Sequence, residues 1–298
     1  MSQLIHYTKC PVCGSADIKA VLSAKDYTVS GEKFSILECD NCSLRFTQDV
    51  PDAASIAPYY KSENYISHTN TSKGLVNGLY QKVRKTTLRQ KRKLVEKITG
   101  ITKGNLLDVG SGTGAFATTM TEAGWQVTGL EPDADARAVA KQSYNIGLED
   151  ISRFYELPAN NYDAITMWHV LEHVHDLNSY MEKLKLLLKE NGKLFIAVPN
   201  YTSKDAAIYK EYWAAYDVPR HLYHFSPKSM QVLADKHGLK LLQYKPMWYD
   251  SFYVSMLSSK YKRGNTNLFG SFFNGLASNS KAVANVQRCS SVIYIIGK

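Results

Sequence analysis

No stretch of this 298-residue chain approaches the ~18 to 20 consecutive apolar residues that a helical bilayer crossing requires. The first residues, Met1, Ser2, Gln3, Leu4, Ile5 and His6, have neither the basic n-region nor the apolar h-region of a secretory signal. A transmembrane anchor and an export leader are therefore not expected, and the expected location is the cytoplasm. Internal repeats and low-complexity tracts are also lacking. Acidic residues are in deficit, 27 against 36 Lys plus Arg, a formal charge of +9. That excess falls to about +7 if four thiolates hold one divalent ion. Cysteine is sparse at five residues.

With 44% hydrophobic content, the chain can bury one substantial core and a small satellite. Much of the positive excess lies in one stretch, where Lys82, Arg84, Lys85, Arg89, Lys91, Arg92, Lys93 and Lys97 alternate with Leu88, Leu94 and Val95. This pattern fits either the solvated face of an amphipathic helix or a surface for an anionic partner such as nucleic acid or a phosphorylated substrate.

Four of the five cysteines form two knuckles, Cys10 with Cys13 and Cys39 with Cys42, separated by 25 residues. In a cytosolic protein this is metal-ligand spacing, not a disulfide framework. Two residues between cysteines let both thiolates face one ion, and two knuckles complete a tetrahedron with no position left open for catalysis. Residues 1–50 are therefore expected to be a zinc ribbon holding structural Zn2+ through Cys10, Cys13, Cys39 and Cys42. Metal binding would supply most of its folding free energy, on the order of 10 kcal/mol. Residues 51–103 carry helical periodicity broken at Pro51, Pro58, Gly74 and Gly78. They form an expected helical lid or linker, in which Tyr59, Tyr60 and Tyr65 are either packing residues or part of a pocket cover.

The stretch from Leu106 to Gly114 organises the rest. A short apolar run ends in Gly110, Gly112 and Gly114, and Ala115 to Ala123 have helical spacing: a strand, a tight glycine turn and a helix start. Glycine admits positive φ and leaves no Cβ between backbone and ligand, while the free N–H groups of the first turn favour an anion. Strands and helices then alternate, as in a parallel sheet covered on both faces. Strands are expected at Asn105 to Gly110, Gln126 to Leu130, Tyr162 to Val170, Lys193 to Val198, Leu239 to Tyr244 and Ser291 to Ile296, with a poorly marked one near Ile146 to Ile151. Helices are expected from Asp133 to Tyr144, Leu177 to Glu190 and Ser226 to Gly238.

Glu131, 21 residues after Gly110 at the end of the second strand, sits where dinucleotide and S-adenosylmethionine sites both place the acid that grips ribose hydroxyls. The spacing G-x-G-x-G with Asp108 two residues ahead differs from the dinucleotide fingerprint. The motif Leu107, Asp108, Val109, Gly110, Ser111, Gly112, Thr113, Gly114 resembles the first motif of the class I S-adenosylmethionine-dependent methyltransferases. Glu131 and Pro132, the opening Tyr162 and Asp163, the segment Trp168 to Val174, and Asn191 to Ile196 are similar to further segments of that family. Val218 to Ser226 is similar to a block in a bacterial subgroup with an N-terminal zinc ribbon, which includes sugar and natural-product methyltransferases.

The resemblance implies an α/β, Rossmann-like doubly wound sheet, mostly parallel with the last strand antiparallel, over residues 104–298. It also implies S-adenosyl-L-methionine as cofactor. Asp108, Gly110 and Gly112 would line the methionine end, Glu131 would hold the ribose, and Ser111, Gly114 and Pro132 would also contact the cofactor. Leu148 would lie near the adenine, with Trp168 and His169 as cofactor neighbours. His169 is as readily a packed core residue.

A hydroxyl or carbon-acid acceptor must lose a proton, and histidine suits that task near neutral pH. Glu172 with His173, just past the fourth strand, is the expected catalytic pair, with His221 beside it. Arg220, Tyr223 and His224 are expected to face the acceptor, Arg220 by bidentate contact with an anionic group. The aromatic insertion over 246–290, with Trp248, Tyr249, Phe252, Tyr253, Tyr261, Phe269, Phe272 and Phe273, fits a substrate lid, a homodimer surface, a membrane-surface patch or extra helices at the sheet edge. The leading function is methyl transfer to a small-molecule acceptor, a sugar, glycan precursor or secondary-metabolite hydroxyl. The alternatives are an RNA methyltransferase gripping nucleic acid with the ribbon and basic helix, and a non-catalytic or nicotinamide-dependent protein using the same turn.

Overall fold

The computed structural model describes residues 4–60 and 75–298, with side chains throughout except at 75–81 and 268. Tyr65 and Gly74 lie outside the described residues. Among the described residues no helix is long and apolar enough to cross a membrane.

The N-terminal part contains β1 (Leu4–Ile5), β2 (Ile18–Lys25), β3 (Lys33–Cys39), β4 (Arg45–Thr47) and β5 (Val50–Pro51). Alternation decides β3: Phe34 and Ile36 turn inward while Lys33 and Ser35 face water. A 3-10 turn at Ala57–Tyr60 follows Pro51. Helix α1 (Leu75–Thr99) then runs through Gly78 without the expected break. It packs its Val95 with Leu106, Phe116 and Trp125 on one face of the main sheet, where it forms a structural layer.

The main unit contains β6 (Asn105–Val109), α2 (Ala115–Glu122), β7 (Gln126–Leu130), α3 (Ala134–Tyr144), β8 (Tyr162–Trp168), α4 (Leu177–Leu187) and β9 (Leu188–Pro199). It continues with α5 (Lys204–Tyr209), β10 (Tyr223–His224), α6 (Pro227–Lys236), β11 (Lys240–Pro246), α7 (Asp250–Arg263), α8 (Leu268–Ala284) and β12 (Ser291–Gly297). Local chemistry fixes the helix starts. Asp133 accepts the Ala136 N–H at α3, and Ser226 and Ser229 form a reciprocal capping box at α6 with Pro227 in its first turn.

Six strands form one sheet in the order β11-β12-β9-β8-β6-β7. Strands β6, β7, β8 and β9 are parallel, and β12 is antiparallel to both β9 and β11. No strand forms at 146–151: only an isolated bridge joins Leu130 to Glu149, and a 3-10 turn begins at Ile151. The segment has too little apolar alternation to complete an edge. Because β6 has β7 on one side and β8 on the other, its carboxyl end is the switch point where open α/β sheets bind ligands.

The ribbon is not an isolated satellite. Its β4 pairs antiparallel with β10, Phe46 opposite Tyr223 and Arg45 opposite His224, extending the ribbon sheet to β10-β4-β3-β2. Cys10, Val12, Cys39, Cys42, Leu44 and Phe46 belong to the same buried cluster as Tyr223, Phe225 and Met230. Asn178 Nδ2 donates to the Pro11 carbonyl at 3.0 Å, and Lys236 Nζ to the Val12 carbonyl at 2.9 Å, seating the first knuckle on α4 and α6. The small satellite, expected to fold mostly on its metal, therefore shares the buried core of the sheet domain.

Candidate active site

The glycine turn sits at the end of β6. Gly110, Gly112 and Gly114 have φ of 71°, 54° and 78°. At Gly110 a Cβ would lie 2.4 Å from a Val170 methyl, whereas the space over Gly112 is open, so the turn forms a backbone-lined cradle. Two buried carboxylates border it. Asp108, 1% exposed, accepts from Thr166 Oγ1 at 2.6 Å across the paired strands β6 and β8. Burial pushes its pKa up to about 6 despite that bond. Glu131 accepts from the Gly112 N–H at 2.7 Å and the Asp133 N–H at 3.0 Å, and burial raises its pKa too.

Ser111 Oγ donates to the Asp108 carbonyl at 2.9 Å. The side chains of Ser111 and Leu148 converge where a Cβ on Gly129 would stand, and the Pro132 carbonyl is held by Arg137. Trp168 lies edge-on to Phe116, with the Lys91 ammonium 4.3 Å over its ring. Two poorly compensated carboxylates beside an open glycine cradle fit a ligand that is cationic at one end and carries vicinal hydroxyls, as S-adenosylmethionine does.

Beyond β8 lies a cluster of histidines and carboxylates. His169, at φ 59°, places Nδ1 3.2 Å from Glu172 Oε1 and Nε2 2.9 Å from Asp250 Oδ2. Burial opposes its charge, but the two carboxylates hold its pKa up to about 10. Both its nitrogens are committed within the protein, so His169 ties β8 to α7 and does not offer a free group to a cofactor.

Glu172 is fully buried. Against that burial, contact with His169 keeps its carboxyl below the usual range, and its Oε2 has no partner. His173 Nδ1 lies 3.0 Å from the Arg220 carbonyl and 3.1 Å from the Tyr60 hydroxyl. His221 Nδ1 lies 2.9 Å from the Ala215 carbonyl, and the two imidazoles meet edge to face at 4.5 Å. A carbonyl can only accept, so both rings donate from Nδ1, and a neutral His173 presents Nε2 as its lone-pair atom. Burial and the neighbouring His221 drive the pKa of His173 down to about 4, which keeps it neutral.

Glu172, His173 and His221 also offer one ligand atom each within 4.8 Å of one another, as do Cys10, Cys13, Cys39 and Cys42. The sulfurs of Cys10 and Cys42, and those of Cys13 and Cys39, are 3.5 Å apart. A tetrahedron with Zn–S bonds of about 2.3 Å has edges of about 3.8 Å, so the thiolate set fits zinc.

The expected acceptor block is placed differently. Arg220, 1% exposed, donates to both oxygens of Asp217 at 3.1 and 2.7 Å, to Asp26 Oδ1 at 3.1 Å and to the Tyr59 carbonyl at 2.9 Å. Its fork is spent on internal carboxylates, because the ribbon loop at Asp26 folds over it. Tyr223 and His224 are the β10 strand that receives the ribbon. The Tyr223 hydroxyl donates to the His175 carbonyl at 3.1 Å, and His224 Nε2 lies 3.1 Å from Thr47 Oγ1. These three residues join the N-terminal strands to the domain. Asp26, Asp217 and Asp250 carry no signal in the sequence, since each reaches the site from a distant segment and belongs to no local motif; Tyr60, expected as packing or pocket cover, contacts His173.

The insertion forms the helices α7 and α8, which pack on each other and on α5. Comparison with known proteins bears on the family and the fold. A family model described as a methyltransferase domain matches residues 80–244, more than half of the chain. The ubiquinone biosynthesis O-methyltransferase of Glaesserella parasuis is 35% identical over 120 residues, 37% of this chain and 51% of that protein. That of Histophilus somni is 31% identical over 143 residues, 44% of this chain and 60% of that protein. The chain thus spans between half and three-fifths of these relatives.

Among solved structures, Burkholderia thailandensis 1,6-didemethyltoxoflavin-N1-methyltransferase, with bound 1,6-didemethyltoxoflavin and S-adenosylhomocysteine, aligns at TM-score 0.51 and 14% identity, covering 92% of this chain and 99% of that one. A putative sarcosine dimethylglycine methyltransferase from Galdieria sulphuraria aligns at 0.50 and 16%, covering 72% and 87%. At these identities the likeness concerns the fold. On the match over residues 80–244, the chain belongs to the methyltransferase-domain family of S-adenosylmethionine-dependent enzymes.

Proposed function

We propose that the chain transfers the methyl group of S-adenosylmethionine to a hydroxyl of a small-molecule acceptor, a sugar, glycan precursor or secondary metabolite, with His173 accepting the hydroxyl proton. When bound, the cofactor supplies a methyl group activated on sulfonium, open to in-line displacement. Asp108 and the glycine turn hold the cationic methionine end, Glu131 the ribose, and Leu148 borders the adenine. His173 Nε2 takes the proton. Glu172 and His221 flank His173, Glu172 stabilising the imidazolium that forms.

The observation that carries this reading is the His173 Nδ1 contact to the Arg220 carbonyl, which fixes the tautomer with Nε2 basic. The names of the relatives, O-methyltransferases of ubiquinone biosynthesis, favour oxygen as the atom methylated. His173→Ala should lower turnover by roughly a hundredfold or more with cofactor affinity unchanged. Full turnover in that variant would remove His173 from the mechanism. Cys10, Cys13, Cys39 and Cys42 would hold a structural Zn2+.

A second reading, RNA methylation, draws on one observation: Lys82, Lys85, Arg89, Lys93 and Lys97 are exposed at three- and four-residue spacing along α1. Against it, the segment between Cys10 and Cys42 has three lysines and five acids, so the ribbon offers no basic surface. RNA affinity that falls steeply with salt in a filter-binding titration would favour this reading, and a flat or absent signal would dismiss it.

A further inference from the structure

Helix α8 is amphipathic in the inverse sense from a core helix. Phe269, Phe272, Phe273 and Leu276 recur at i, i+3, i+4 and i+7 and are 82%, 53%, 64% and 43% exposed; Val283, two turns on, is 77% exposed. The opposite face anchors the helix. Ser271, Ser278 and Ala282 are buried, Ser271 Oγ donates to the Ser255 carbonyl at 3.2 Å, and Ser278 Oγ donates to Asp205 at 2.6 Å. The helix is therefore fixed through small side chains and turns three phenylalanines to water, which costs free energy unless something covers them.

Charge identifies the cover. After Asp250 the chain contains no Asp or Glu, and Asp250 itself is taken by His169. Lys260, Lys262 and Arg263 end α7, and Lys281 lies in the last turn of α8. A self-complementary contact with a second copy through this unit would bring its Lys and Arg side chains together with no acid of the unit to pair them, whereas an anionic surface pairs them all. Aromatic side chains on one face, flanked by Lys and Arg that extend their charges past the apolar surface, are the pattern of a helix lying in the headgroup region of an anionic bilayer.

We propose that the α7–α8 hairpin docks on anionic lipid surfaces through Phe269, Phe272, Phe273 and Leu276, with Lys260, Lys262 and Arg263 contacting the headgroups. This inference does not depend on the acceptor or on the role of His173. Vesicle flotation with the full chain tests it, using phosphatidylcholine alone and phosphatidylcholine mixed with phosphatidylglycerol. Binding to the mixed vesicles should be strong, weaken with salt, and fall by roughly tenfold or more in Phe269→Ser/Phe273→Ser and in Lys260→Gln/Lys262→Gln/Arg263→Gln. Thermal melting of both variants should match the wild type, because the altered side chains are surface groups. Failure of the wild type to float with mixed vesicles, or equal flotation of the Phe269→Ser/Phe273→Ser variant, overturns the proposal. A dimer in sedimentation velocity that this variant dissolves, without vesicle binding by either protein, assigns the face to a second copy instead.

Discussion

His173 Nδ1 is held 3.0 Å from the carbonyl oxygen of Arg220, whose guanidinium is clamped between Asp217 and the ribbon residue Asp26. The proposed proton acceptor is thus positioned by the backbone of a residue whose side chain is fixed by Asp26 of the N-terminal unit. Removing one partner of a buried ion pair leaves the other charge undercompensated, at a cost of about 3–5 kcal/mol when no other partner remains. Asp217 remains here, so Asp26→Asn should lower stability by about 1–3 kcal/mol. It should also reduce turnover with cofactor affinity intact. Chemical denaturation and steady-state kinetics read the two effects, and unchanged turnover would separate ribbon from site.

Asp108 yields a prediction in which stability and binding move in opposite directions. Burial raises its folded pKa from 3.8 to about 6, so between those values the native state holds more protons than the unfolded state. Stability therefore falls as pH rises through that window, and ionised Asp108 is a net cost at pH 7. Asp108→Asn should raise the melting temperature of the ligand-free protein at pH 7 and abolish measurable binding of S-adenosylmethionine. Lower stability in that variant would mean that the carboxylate is compensated internally.

The pH dependence of catalysis should divide between two groups. Because kcat/KM reports the free enzyme and kcat the ternary complex, the acid limb of kcat/KM for the cofactor should fall near pH 6, where Asp108 protonates. At saturating cofactor the limb in kcat should move below pH 6, toward the lowered pKa of His173 near 4. A kcat limb at or above 6.5 would place the proton acceptor elsewhere.

Much of this was legible in the sequence because it is written in local chemistry. The turn from Asp108 to Gly114 needs glycines at positive φ, the cap at Asp133 and the box at Ser226 need short oxygen-bearing side chains, and the cysteine knuckles need two-residue spacing. Glu131 was recognisable because strand length fixes where the second strand ends. The missing strand at 146–151 was marked only by weak patterning. What stayed hidden is long-range pairing. Arg220 looks like an anion grip until Asp26, 194 residues away, occupies it, and Tyr223 and His224 look like site residues until β4 pairs with them. His169 similarly loses its freedom to Asp250 in the insertion.

Zinc content follows the same wiring. Mass spectrometry under native conditions should find one zinc per chain, and Cys39→Ser should lose it. Because β4 pairs with β10 beside Arg220 and His221, metal loss should depress turnover while S-adenosylmethionine binding at the end of β6 persists. Full turnover in metal-free protein would mean that the ribbon seam holds without the ion.

The assignment of the glycine cradle is tested most directly by calorimetric titration of S-adenosylmethionine into the wild type and Glu131→Ala. The expected result is one site per wild-type chain and an affinity at least roughly tenfold weaker in the variant, as the loss of charge-assisted hydrogen bonds to the ribose requires. Equal affinity in the two proteins, or no binding by the wild type, would contradict it.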